Sequence, residues 1–416
     1  YFPVIFLAST AINASASKGD FEHCKSTVNR WASSSLHKDV KEDKHILRDL
    51  LFFLHVPRTG GRTYFHCFLK KLYSSSQECP RSYDKLRFDP SKSNCRLLVT
   101  HDDYSMMSKL PGERTSVVTI LRNPIDRIFS TYEFSVEVAA RFLVHPNLTS
   151  ATRMAGRLRS KTGGVSTLDI WPWKYLVPWM REDLFSRRDA RKGGSTTYSK
   201  SNDSYDMEDF VMPLHQYIND PIARDVIHNG ATFQVAGLTN NSYIGESHDV
   251  RHCVLKYQIL GEYVLEVAKK RLDEMLYVGL TENHRESATM FANVVGAQVI
   301  SQLASSTSSS LINNNKSEQG SWIPDSESDT YNHQNGSTLK NTSDVPSTGI
   351  EVTNKTARRH VPQVVLQEIT KLNSLDVELY KHAQDIFARQ HSRMVQKLVG
   401  PVSAHLLLGL ESSVTS

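Results

Sequence analysis

The run Leu50-Leu51-Phe52-Phe53-Leu54-His55-Val56 constrains the fold more than any other feature of the chain. Unbroken apolarity, rather than alternation, marks a strand buried on both faces of a parallel sheet. Pro57 and the pair Gly60-Gly61 bound it, and residues 63–73 then carry Phe65, Phe68, Leu69 and Leu72 at helical spacing. Strand, glycine loop and helix in that order open a βαβ unit. Residues 96–100 and 116–121 read as two more strands, the second followed by Asn123-Pro124 and a helix over 125–142. This alternation predicts an α/β fold, a parallel sheet flanked by helices. Further along, 234–238 and 276–280 read as strands, and 254–272 and 283–303 as helices. Apolar positions from Val365 through Ile369, Leu372 and Leu379 to Phe387 predict one long amphipathic helix continuing to about residue 398.

The remaining composition divides the chain. Residues 1–16 are apolar up to Ala11 and then carry the small-residue pattern Ala14-Ser15-Ala16, which reads as the residue of a signal peptide; a short buried strand is the alternative. Residues 17–48 form a polar lead-in, poorly ordered or a surface helix, and 49–303 the main domain. Residues 304–357, rich in Ser, Asn, Thr, Gly and Asp, bury too little apolar surface to offset their ordering entropy and are expected to be a long disordered insertion. Order resumes in 358–400, the helix that completes the domain, before a tail over 401–416. No 18-residue apolar run is present. Lys and Arg total 49 against 44 Asp and Glu, a net charge of +5. So small an excess excludes a histone-like packer, and no nucleic-acid partner is expected, but it allows a local basic pocket.

Sequons at Asn13, Asn147, Asn202, Asn240, Asn315, Asn335, Asn341 and Asn354 suit a secretory route. The five cysteines, Cys24, Cys67, Cys79, Cys95 and Cys253, leave at least one unpaired and match no zinc spacing, so no metal is expected. The spacing of Cys79 and Cys95 allows a disulfide within a loop, but the preferred reading leaves them unpaired.

Three segments carry candidate chemistry. His55-Val56-Pro57-Arg58-Thr59-Gly60-Gly61-Arg62-Thr63 sits where a strand enters a helix, offering backbone N–H groups and the positive end of the helix dipole to an anion. Arg58 and Arg62 add charge, Thr59 and Thr63 hydroxyls, and the glycines close backbone approach; a merely basic βα turn is the alternative. In the second segment, 121–132, Arg122 ends its strand and Ser130 lies about two turns into the following helix, a pair suited to a second phosphate. The third, Thr100-His101-Asp102-Asp103-Tyr104, puts His101 at the carboxyl end of a strand, where ligands gather in open α/β sheets. There it is placed for proton transfer, with Asp102 or Asp103 to orient the ring; His66, behind the first loop, is the second choice.

VPRTGGRT and LRNPIDRIFSTY in this order resemble the 5′-phosphosulfate loop and the 3′-phosphate motif of sulfotransferases. The form is similar to the heparan sulfate 6-O-sulfotransferase group. YVGLTE at 277–282 and LNSLDVELY at 372–380 also resemble later segments of that group, and the stretch WPWKYLVPW at 171–179 resembles the plant tyrosylprotein sulfotransferases, which are themselves similar to the 6-O group. The likeness covers about 50–300 and 362–390. It implies a P-loop-NTPase-like sulfotransferase fold and 3′-phosphoadenosine-5′-phosphosulfate as cosubstrate, held by His55–Thr63, Arg122 and Ser130, with Thr281 and Asn283 at the adenine nucleotide. His101 stands where the group has its base. The acceptor it implies is the tyrosine hydroxyl of secreted, acidic peptides or proteins, or, as the rival, a sugar hydroxyl of a heparan-type glycan. A binding protein without turnover is the reading of another class, and the intact Arg58 and His101 count against it. The basic stretch Arg181, Arg187, Arg188, Arg191, Lys192 suits either acceptor, or is a solvated loop. The resemblance further implies the Golgi lumen and membrane association. One departure bears on mechanism: Arg58 stands where the group has Lys, and Arg neutralises charge but donates no proton.

Overall fold

The computed structural model describes residues 4–37, 45–79, 95–142, 212–304 and 361–411, with a few positions between 144 and 189. The apolar runs become four strands: β1 (Leu50–Leu54), β2 (Leu97–Thr100), β3 (Thr115–Leu121) and β4 (Tyr277–Leu280). They pair in parallel in the order β2-β1-β3-β4, with Leu51 opposite Leu97, Leu50 opposite Thr115 and Val118 opposite Tyr277. Every residue of the four is buried, as the unbroken apolarity of β1 requires. From β1 the chain passes first to one neighbour, β2, and then to the other, β3. The crevice between β1 and β3 is therefore the point where strand order reverses, the usual ligand position in such sheets.

Helical residues 61–72 (α2) follow β1, with a π turn at Phe65–Leu69. Pro124–Phe142 (α3) follows β3; Pro124 occupies the first helical turn, where its missing N–H costs nothing, and Asn123 Oδ1 accepts from the N–H of Ile125 at 3.0 Å.

Several expectations need correction. Residues 234–238 are not a strand: Gly230–Val235 is a helix (α4), entered through Asn229 in the left-handed region and left through Gly237 at φ 64°. The helix expected over 254–272 is interrupted near Tyr257, giving Ser247–Lys256 (α5) and Gly261–Glu274 (α6) with a 3-10 turn between. After β4 comes His284–Phe291 (α7). The long C-terminal helix is likewise two, Gln363–Leu372 (α8) and Ser374–Glu411 (α9), parted at the buried Asn373. Its Oδ1 accepts from Asn229 N–H at 3.0 Å, while Asn229 Oδ1 accepts from Leu375 N–H at 2.9 Å. That exchange fixes where α8 ends.

The polar lead-in belongs to a long helix, Val4–Leu36 (α1), that buries Cys24, Thr27, Val28, Trp31 and Ala32 at three- and four-residue spacing. It packs on α5 and α6, and Cys24 is disulfide-bonded to Cys253 of α5. Contrary to expectation, Cys79 and Cys95 form a second disulfide, and Cys67 is a free, exposed thiol.

The chain divides into two compact units. Tyr1–Val299 with Gln363–Ser416 holds the sheet. Of Ile300–Pro362, the structure describes 300–304, which are helical, and 361–362. The insertion expected over 304–357 thus lies, apart from Ala304, outside the described residues. So do the Trp-rich stretch and the arginines and lysine of the 181–192 run. Among the described residues no helix is long and apolar enough to cross a membrane.

Candidate active site

The residue that directly follows each strand is a candidate of the sequence: His55 after β1, His101 after β2, Arg122 after β3 and Thr281 after β4. Because the strands are parallel, all four lie along one edge of the sheet.

The loop between β1 and α2 is bent by two left-handed residues, Arg58 at φ 66° and Gly60 at φ 80°. For a side-chain-bearing residue such as Arg58 this conformation costs about 1–2 kcal/mol, and the surroundings must hold it there. They do so through three contacts. Arg122 Nη1 donates to the Arg58 carbonyl at 3.2 Å; Arg58 Nε donates to Ser130 Oγ at 3.1 Å; and the guanidinium lies 4.6 Å over the Phe134 ring. The two sequence motifs therefore meet in space, with Arg58, Arg122 and Ser130 in one cluster.

Thr59 is buried and its hydroxyl donates to the Val56 carbonyl at 2.8 Å, which closes the loop. Val56 is buried too, while Arg62 and Thr63 are exposed on the first turn of α2 and Pro57 is half-buried. Thr281 Oγ1 lies 2.8 Å from the Thr59 carbonyl and 3.0 Å from that of Leu121, which ties the loop to β3. Asn283 precedes α7 and its amide donates to Glu286 at 2.9 Å. Beside it, Glu282 accepts from Asn123 N–H at 2.9 Å and from the Tyr380 hydroxyl at 2.6 Å, joining the start of α3 to α9.

His55 lies beneath the loop. Burial, then the neighbouring His101 and Arg58, push its imidazole well below the usual range, so the ring is neutral. It stacks on Phe53, and its centroid is 4.1 Å from that of His101. The half-buried His101 places Nδ1 2.9 Å from the His55 carbonyl oxygen. A carbonyl only accepts, so Nδ1 carries the proton and the neutral ring keeps its lone pair on Nε2.

Of the two acids expected to serve this ring, Asp103 is committed elsewhere. Its carboxylate accepts from the N–H and hydroxyl of Ser105 and from the N–H and hydroxyl of Thr239, the latter at 2.8 and 2.7 Å. Burial raises its carboxyl pKa against those four bonds. Asp102 Oδ2 accepts from Thr100 Oγ1 at 3.1 Å. His66 is exposed on α2, its ring against Phe65.

Sequence reasoning missed the residues that build the frame. Gln234 of α4 reaches the carbonyls of His55, His101 and Asp102. Asp376 of α9 pairs with Arg127 of α3 at 3.0 Å, both fully buried. A solitary Gln beside a few apolar residues carries no motif that would have found it, and although Asp376 lies within LNSLDVELY, nothing in that pattern names Arg127 or the start of α4 as its partner.

No family model matches the chain. It is 54% identical to the protein-tyrosine sulfotransferase of Arabidopsis thaliana over 449 aligned positions, covering 99% of this chain and 89% of that protein.

Proposed function

Because this chain belongs to the protein-tyrosine sulfotransferase family, we infer that it transfers a sulfuryl group to the hydroxyl of tyrosine in peptides or proteins. The observation that carries the reading is the meeting of Arg58 with Ser130, two residues that the resemblance assigns to opposite ends of one nucleotide donor. The donor proposed is 3′-phosphoadenosine-5′-phosphosulfate. Two guanidinium groups, a serine hydroxyl and a helix-opening glycine loop at a strand-order reversal form a donor set that suits such a polyanion. Bound there, it supplies an activated sulfuryl group.

The chain's own residues then have separable tasks. Arg58 and the N–H groups of the loop meet negative charge at the phosphosulfate; one such donor is typically worth about 3–4 kcal/mol in the transition state. Arg122 and Ser130 hold the second phosphate. Thr281 orients the loop by binding its backbone, and Asn283 flanks the adenine side. His101 receives the acceptor proton on Nε2. A phenol of ordinary pKa near 10 needs such a base, which typically contributes ~10²–10⁴-fold. Arg58, unable to give up its proton, neutralises the leaving phosphate without protonating it.

On the same reading the substrates are acidic around their tyrosine, which the basic stretch from Arg181 to Lys192 supports, and the protein works in the Golgi lumen, membrane-associated as in the family. Disulfides Cys24–Cys253 and Cys79–Cys95 support an oxidising compartment, and the exposed Asn147 of a sequon supports glycosylation. Labelled donor offered separately to an Asp-Tyr peptide and to a heparan-type glycan tests the function. Transfer to the peptide hydroxyl is the expected result; transfer to the glycan alone would overturn it.

A further inference from the structure

Gln234 is 4% exposed, and its Nε2 stands 3.1 Å from each of three carbonyl oxygens, those of His55, His101 and Asp102. These are the residues by which the chain leaves β1 and β2, so a single amide group clasps two neighbouring strand ends. The His55 oxygen is also the acceptor for His101 Nδ1. Ring and amide converge on one atom, which has two lone pairs and thereby accommodates both.

The chemistry of the site calls for glutamine. Three carbonyls facing one point need a donor, and a buried carbonyl left without one costs about 1–3 kcal/mol. A carboxylate would face three like dipoles, and a buried ammonium would carry a desolvation cost.

The helix that carries Gln234 is itself anchored at both ends. At its start, Asp376 accepts from the N–H of Ala231 at 3.2 Å and from the N–H and hydroxyl of Thr232 at 2.8 and 2.7 Å. At its end, Gly237 approaches the Ser105 backbone so closely that a Cβ there would lie 2.9 Å from Ser105 N.

We propose that Gln234 is a positioning residue for sulfuryl transfer: by fixing the His55 carbonyl and the His101 backbone, it holds the His101 ring with Nδ1 protonated, so that Nε2, which keeps the lone pair, takes the acceptor proton. The proposal rests on His101 as the base.

A double-mutant cycle tests both separately. Gln234→Leu should lower kcat on the order of 10–100-fold, as loss of an orienting hydrogen bond does. The KM for the nucleotide should stay within about twofold, the scatter of independent sites. In the His101→Ala background, whose own loss should be ~10²–10⁴-fold, Gln234→Leu should change kcat by less than about twofold, because there is no ring left to position. Equal losses in the two backgrounds would mean that Gln234 merely supports the fold, and an unimpaired Gln234→Leu beside a crippled His101→Ala would sink the proposal while leaving the base in place. A fully active His101→Ala would remove the base and the proposal with it. Should Gln234→Leu not fold, Gln234→Met, which keeps the length of the stem and brings no charge, closes the same cycle.

Discussion

Gly60 and Gly61 are adjacent, yet replacing them by alanine should fail for different reasons. At Gly61 an added Cβ would lie 2.3 Å from His55 Cδ2 and 2.5 Å from its Nε2. Ordinary contact begins near 3.4 Å, so the ring would have to retreat by about 1 Å. It has nowhere to go, since Phe53 stacks on it at 5.6 Å between centroids, His101 lies beside it at 4.1 Å, and its carbonyl is held by Gln234. Overpacking of this kind costs about 1–3 kcal/mol, and the displaced ring would also move His101. At Gly60, by contrast, the nearest atom to an added Cβ is Thr281 Cγ2 at 4.0 Å, and only the left-handed conformation at φ 80° resists, at about 1–2 kcal/mol. Denaturant unfolding of both variants, each with and without His55→Ala, separates the two causes. The cost of Gly61→Ala should largely vanish once the ring is removed; that of Gly60→Ala should persist. If Gly61→Ala costs the same in both backgrounds, the collision with His55 is not what makes glycine necessary there.

The neutral burial of His55 gives stability a pH dependence. Its folded pKa is depressed, so the unfolded chain binds the extra proton, and stability present above about pH 6.5 is lost as pH falls below it, by at most ~1.4 kcal/mol per unit for one proton. His55→Gln should be less stable at neutral pH yet show a shallower decline between pH 6.5 and 5.5; an unchanged slope in denaturant melts would assign the loss to other groups. Asp376→Ala strands the buried guanidinium of Arg127 and frees the start of α4, so it should cost about 3–5 kcal/mol. Glu378→Ala, which breaks only the exposed pair with Lys381, should cost less than about 1 kcal/mol by the same melts.

The parts of the site that were legible in sequence share a property: each is specified within a dozen residues. The apolar run of β1 with its glycine loop, and β3 with Asn123-Pro124, contain both the pattern and the terminator of their elements. His101 and Arg122 were placed because strand ends were placed. The side chains' tasks were less legible. Thr59 and Thr281 look like ligand hydroxyls on paper, but each has a backbone carbonyl within reach inside the loop, and that competition is invisible before the loop is folded.

Residues 234–238 show the limit most clearly. A five-residue segment whose apolar side chains are Val235, Ala236 and Leu238 is compatible with a buried strand or a buried helical turn, and its own composition does not decide between them. Here the decision comes from far along the chain. Asn229 is held in the left-handed region by exchange with Asn373 and Leu375, and Asp376 supplies the carboxylate for the first N–H groups of the helix. Those partners lie about 145 residues downstream, beyond the insertion. Once they start a helix at Gly230, Gln234 falls one turn later on its buried face. There it meets strand ends that precede it by 132 to 179 residues. The segment after the insertion thus reaches the histidine pair through a single short helix, and a local reading of residues 234–238 contains neither end of that connection.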